Sequence, residues 1–299
     1  MKLNKNLLKI IAIAILIGII GFIYNFNNLV TPTKNTNVDT LNNAKKVSVT
    51  KQEKLSKSQK LNKLSVNTNT KTAKTVYMDK NSKIPILMYH SISYEKGNTL
   101  RIPKETFREQ MKYLKDNNYT TLTLDDLYSY MKSNKCLPKK SIVITFDDGY
   151  NDNYTNAYPI LKEFNLKATV FVITNTIDKD KNYLTSNEIK LMDKNNMQIE
   201  SHTAAHDHLS TISYISDVKT MTIAKSKLEG ILNRKINYIA YPYGEYNYDT
   251  IKAAKKTGYT LAFSTEYGWI NKDNNIYSLG RIFVSSSYNI EKFKSKLKQ

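Results

Sequence analysis

The run Ile142–Phe146, "IVITF", is continuously apolar for the length of one strand and ends on two adjacent carboxylates, Asp147 and Asp148, followed by Gly149. Asp-Gly often joins two antiparallel strands, but a hairpin needs a second strand. Gly149 leads instead into "YNDNYTNAYPILKEF", in which Tyr158, Leu161 and Phe164 recur at helical intervals of three. An apolar run without alternation is buried on both faces, as in a parallel sheet covered by helices. The carboxylates then stand at the C-terminal end of a strand, where α/β folds assemble their sites because the loops leaving the strands converge there.

The rest of the chain from Ile84 onward repeats this alternation. "IPILMY", "YTTLTL", "ATVFVIT", "MQIES", "INYIAYP", "YTLAFS" and "YSLGRIFV" read as strands. Between them lie helical stretches, two of which open with capping-box spacing: Thr106 with Glu109, and Thr185 with Glu188. The number of units predicts a distorted (β/α) barrel in preference to a short open sheet.

Ahead of this domain the chain changes character twice. Leu7–Tyr24 is an apolar run with Lys9 as its only charge, near the lower length limit for crossing a bilayer. The bulky, polar "YNFNNLV" next to it offers no small-residue cleavage site, so residues 1–30 read as an uncleaved single-pass anchor. A cleaved signal, giving a secreted protein, is the alternative. Lysines before the run predict a cytoplasmic N-terminus and an extracytoplasmic domain. Residues 31–83 are rich in Lys, Asn, Thr and Ser, and bury too little to offset the entropy of ordering them; they read as a disordered linker. Residues 1–83 hold fifteen lysines and three acids, +12 of the net +19. A basic tether beside a membrane suits an anionic lipid or cell-wall surface; because the charge belongs to an exported linker, nucleic acid is not the expected partner. Cys136 is the only cysteine, so the domain 84–299 must be stable through its core alone.

Four of these strands deliver chemistry to one rim: His90 after "IPILMY", Asp147 and Asp148 after "IVITF", His202 and His206 after "MQIES", and Tyr243 after "INYIAYP". The i, i+4 spacing of His202 and His206 predicts two imidazoles on one face of a helical turn, a common way to offer two nitrogens to a divalent metal. A lone pair of this spacing is more often solvated surface. Here a carboxylate pair supports it, since one carboxylate can ligate while its neighbour accepts a proton from water.

"TFDDG" followed by "SHTAAH" resembles the first two motifs of the NodB-homology polysaccharide deacetylases, carbohydrate esterase family four, over about residues 84–284. The resemblance implies a metal-dependent hydrolase that removes N-acetyl groups from a polysaccharide, with Zn2+ the expected ion. It implies Asp147 as base, with Asp148, His202 and His206 as metal ligands. "AYPYG" resembles the third motif and implies that the Tyr243 main-chain N–H holds the oxyanion. Two positions depart from the pattern: Ala240 stands where an arginine is usual, and "SLGRIFV" lacks the usual catalytic histidine. The branch resembling poly-N-acetylglucosamine deacetylases places its acid near the start of the domain, which implies His90. Arg281 is expected to replace the missing arginine beside Asp147, and Trp269 to line the acetyl pocket. Rival readings are an O-acetyl esterase and an inactive carbohydrate-binding relative.

Overall fold

The structure is a computed structural model and describes residues 77–78, 82–133 and 135–298. The chain divides into two units, Met1–Asn69 and Thr70–Gln299, and all described residues belong to the second. The expected anchor and most of the expected linker lie outside the described residues; among those described, no helix is long and apolar enough to cross a membrane. Tyr77 and Met78, within the stretch read as linker, pair with Pro138 and Leu137.

Six parallel strands form the frame. β1 (Ile84–Tyr89) and β3 (Ser141–Phe146) are buried at every position, as an unalternating apolar pattern requires. They pair in register Tyr89↔Phe146. The sheet continues through β4 (Ala168–Val172), β5 (Met197–Ser201), β6 (Tyr238–Ala240) and β7 (Leu261–Phe263), all parallel. β2 (Thr120–Thr121) adds a short pairing to the start of β3. On the far side of β1, β8 (Trp269–Ile270) pairs antiparallel with Ile84 and Pro85. β9 (Ile282–Phe283) pairs parallel with β1, while Leu279 just before it bonds to β7. The segment 279–283 therefore spans the seam between the first and last parallel strands, and the sheet curls into a distorted barrel.

Helices cover the outside. α1 (Lys104–Asp116) buries Phe107, Gln110, Met111 and Leu114, the i, i+3, i+4, i+7 stripe of one helical face. Thr106 does not cap it: Pro103 occupies the N-cap, so the helix starts earlier and Thr106 lies inside its first turn. α2 (Leu124–Ser133) and α3 (Tyr158–Glu163) come next, the latter entered through a π-helical turn at Asn153–Ala157. α4 (Ser186–Asp193) carries the expected capping box of Thr185 and Glu188. α5 (Tyr214–Leu232), α6 (Tyr248–Thr257) and α7 (Ile290–Lys296) complete the layer.

An ion cluster ties the amino end of β6 to β5. Arg234 binds Asp193 and Glu200, and burial pushes the Glu200 carboxyl up to about 7 against the pull of Arg234. A cavity of about 520 Å3 opens here beside Gln198 and Lys235, at the end of the sheet opposite the histidines.

Asp217, in the first turn of α5, is fully buried and neither of its carboxylate oxygens has a hydrogen-bond partner. The Thr250 hydroxyl bonds Leu209 O and Asn247 Oδ1 instead. Burial, helped by the nearby Asp207 and Asp249 and opposed by Thr250, pushes the Asp217 carboxyl up to about 6. The folded state thus binds this proton more tightly than the unfolded chain, so stability falls as pH rises from the ordinary carboxylate range through about 6. Asp217→Asn is expected to raise the melting temperature at pH 7.5 by about 2–4 °C, the shift of ~1 kcal/mol in a domain this size. At pH 4 the two proteins should melt alike; a gain equal at both pH values would mean that the ionised carboxylate is not the cost.

Candidate active site

The turn after β3 explains why two adjacent carboxylates are useful. Asp147 N–H donates to Tyr89 O, continuing the β1–β3 pairing, and Asp148 then turns to φ +72, a region that aspartate tolerates better than most residues. Gly149 comes next at φ +78, where a Cβ would lie 3.1 Å from Val172 Cγ1. This tight reversal gives the two side chains different surroundings.

Asp147 meets a buried arginine. Arg281 Nη1 and Nη2 donate to Asp147 Oδ1 and Oδ2, each at 2.7 Å, in a two-pronged ion pair whose guanidinium is fully buried. Arg281 is itself held by Ser264 O at 3.0 Å and Thr145 Oγ1 at 3.2 Å. Burial would raise the Asp147 carboxyl, but Arg281 first and His202 next outweigh it and hold the group below the usual carboxylate range.

Asp148 meets the histidines. Its Oδ1 lies 3.4 Å from His202 Nε2 and 3.3 Å from His206 Nε2, yet this buried oxygen makes no hydrogen bond. His202 Nδ1 is 2.8 Å from Ala240 O; a carbonyl can only accept, so Nδ1 carries a proton and Nε2 is the nitrogen turned towards Asp148. One anionic oxygen and two imidazole nitrogens thus converge without hydrogen bonds to satisfy them, all within 4.8 Å of one another. That donor set suits a divalent cation.

His202 and His206 do not share a helical turn. They occupy a loop in which Thr203 and His206 both have positive φ, and the next helix, α5, begins only at Tyr214. The i, i+4 spacing brings the imidazoles together through this loop, whose Thr203 Oγ1 accepts from His206 N–H at 3.0 Å.

His90 succeeds Tyr89 at the end of β1, and the Tyr89↔Phe146 register sets it beside Asp147 along the rim. Its Nδ1 is buried with no hydrogen-bond partner. Burial lowers its basicity, while Asp147 and Asp148 pull it back up. Tyr243, after β6, adopts φ +59 and reaches the rim with its ring against His206, centroids 4.4 Å apart.

Trp269 is not at this rim. β8 pairs it with Pro85, at the opposite end of β1 from His90, so the expected place in an acetyl pocket is corrected to packing beneath the sheet. Sequence reading also missed two features. Tyr150 and Tyr183 stack at 5.1 Å beside Asp148, and the carbonyl of Ala240, noted only as a missing arginine, orients the His202 ring.

Comparison with known proteins accords with this geometry. Residues 134–262 match the family model described as polysaccharide deacetylase. YxkH of Bacillus subtilis (strain 168), which bears a polysaccharide deacetylase name, is 41% identical over 214 residues, covering 72% of this chain and 76% of that protein. The poly-beta-1,6-N-acetyl-D-glucosamine N-deacetylase of Staphylococcus aureus (strain MSSA476) is 33% identical over 200 residues, 62% of this chain and 68% of its own. Among solved structures, Streptococcus pyogenes deacetylase PplD in complex with acetate superposes with a TM-score of 0.70 at 32% identity, covering 73% of this chain and 99% of that one. The chain belongs to the polysaccharide deacetylase family and is a hydrolase of that class.

Proposed function

We propose that this protein removes N-acetyl groups from N-acetylglucosamine units of an extracellular polysaccharide, either a poly-N-acetylglucosamine-type polymer or peptidoglycan. The observation that carries the reading is the division of the carboxylate pair: Asp147 gripped by Arg281, and Asp148 aimed at two imidazole Nε2 atoms. The first arrangement holds a base ionised and in place; the second holds a cation, for which we favour Zn2+.

A divalent cation held by Asp148, His202 and His206 would supply a Lewis acid, acidifying water and drawing charge from the acetyl carbonyl. Asp147 takes the proton of the attacking water, and Arg281 keeps its carboxylate oriented towards that task. The main-chain N–H of Tyr243 donates to the oxyanion formed at the carbonyl carbon. His90, at the rim beside Asp147, then gives a proton from its imidazolium to the departing amine. Acetate and a free glucosamine unit result.

Retention of donor set and base together argues against the reading as an inactive binder. The S. aureus relative, named for a β-1,6-linked polymer, favours an amide over an O-acetyl ester. The apolar run near the N-terminus and the basic segment after it support membrane attachment with the catalytic domain outside the cell, facing an anionic surface.

The full chain loaded with zinc should release acetate from β-1,6-linked N-acetylglucosamine oligomers, and a chelator should stop it. Parallel assays with β-1,4-linked oligomers and intact peptidoglycan identify the polymer. No acetate from any of the three, with zinc bound, would overturn the N-deacetylase reading.

A further inference from the structure

His208 has no part in the mechanism above, yet it is built into the loop that carries it. Its ring lies parallel to that of Tyr243, centroids 4.0 Å apart at 2°. Tyr243 in turn packs on His206 at 4.4 Å and 65°, so one tyrosine ring touches both imidazoles. His208 Nδ1 is 3.0 Å from Glu245 Oε2, and Ser210 Oγ donates to the same oxygen at 3.1 Å. Asn247 Nδ2 donates to Ser210 O at 3.0 Å. A stack and three polar contacts therefore staple the loop of the histidines to the turn after β6.

Both sides of that staple need one. Tyr243 stands at φ +59, a strained conformation for a bulky side chain, and persists only where its surroundings over-determine it. On its far side the turn is already fixed: Thr265 Oγ1 donates to Tyr243 O at 3.2 Å, and a Cβ on Gly244 would lie 2.1 Å from Thr265 Oγ1. On the near side both His208 and His206 meet the ring. His206 is the less restrained of the two ligand candidates, with its side chain 24% exposed against 2% for His202. His202 has Ala240 O behind it; among the described residues, no hydrogen bond orients the His206 ring from behind.

We propose that His208 is a positioning residue: through the Tyr243 ring it fixes the imidazole of His206 and the Tyr243 peptide whose N–H faces the reacting carbonyl. The inference rests on the deacetylase reading for its catalytic half and on the Asp148–His202–His206 donor set for its metal half. Groups that orient metal ligands are typically worth 10–100-fold in affinity or activity.

The test is zinc affinity, measured by competition with a chromophoric chelator, alongside kcat and KM for acetate release. His208→Ala in the full chain should weaken zinc binding about 10-fold and lower kcat by a similar factor with KM little changed. His208→Phe keeps an aromatic face for Tyr243 while losing the bond to Glu245, and should recover most of both quantities. Far-UV circular dichroism and melting temperature establish that each variant is folded; should His208→Ala not fold, His208→Phe against Glu245→Ala separates stack from tie. Unchanged zinc affinity and kcat in folded His208→Ala would overturn the proposal. So would a rise in KM alone, which would make His208 a sugar contact. If the native chain releases no acetate but His208→Ala still loses zinc affinity, the deacetylase reading fails and the role of His208 towards His206 stands.

Discussion

Asp147→Asn should retain zinc at the native stoichiometry and lose turnover by about 10^2–10^4-fold, the usual worth of a positioned base. The neighbouring change, Asp148→Asn, should lose the zinc. These opposite outcomes for adjacent, nearly isosteric substitutions arise from the reversal at Asp148 and Gly149, which sends one side chain to Arg281 and the other to the imidazoles. His90→Ala belongs in the same experiment as the third arm: metal retained, kcat reduced over the same range. Metal content of the purified variants and acetate release from a β-1,6-linked oligomer give both readouts. Loss of zinc from Asp147→Asn would reverse the two aspartate roles, and near-native turnover in His90→Ala would require another acid.

The second large effect is on stability. Arg281 and Asp147 are both buried, and removing one partner strands the other's charge away from water. Arg281→Met should therefore cost about 3–5 kcal/mol, as broken buried pairs do. The double variant Asp147→Asn/Arg281→Met carries no stranded ion and should recover much of that loss, although it cannot recover activity. Urea denaturation of the metal-free proteins measures the coupling. Additive losses in the double variant would mean that the guanidinium is held by Ser264 and Thr145 in its own right and that the pair contributes little.

What the sequence made legible was governed by length and proximity. β1, β3 and β4 are five or six residues long with few polar interruptions, so their burial could be read directly. β8 and β9 have two residues each, too few to carry any periodicity, and β8 was missed altogether. Asp147 and Asp148 stood out because they are adjacent, as His90, His202 and His206 did because each comes just after a strand. The His202–Ala240 contact uses a main-chain carbonyl, which no side-chain identity announces. Trp269 was misplaced because a motif position says nothing about strand register; β8 turned out to run antiparallel along the other end of β1. The parallel stack of His208 on Tyr243 joins two loops 35 positions apart in the chain and likewise has no local signature.

The segment that bridges the seam is also among the last parts of the domain to be synthesised. Asp148, His202 and His206 lie within the first two thirds of the described domain, and β3, β4 and β5 can bring them together as soon as those strands pair. Arg281 reaches Asp147 from 134 residues further along the chain, immediately before the last strand to be added. In vectorial synthesis, where earlier segments begin folding first, the ion-holding half of the centre has its parts before the half that grips the base. On the proposed mechanism, hydrolytic competence then waits on the last segment, which both bridges the sheet and delivers the guanidinium, whereas the three candidate cation ligands are already in place before it.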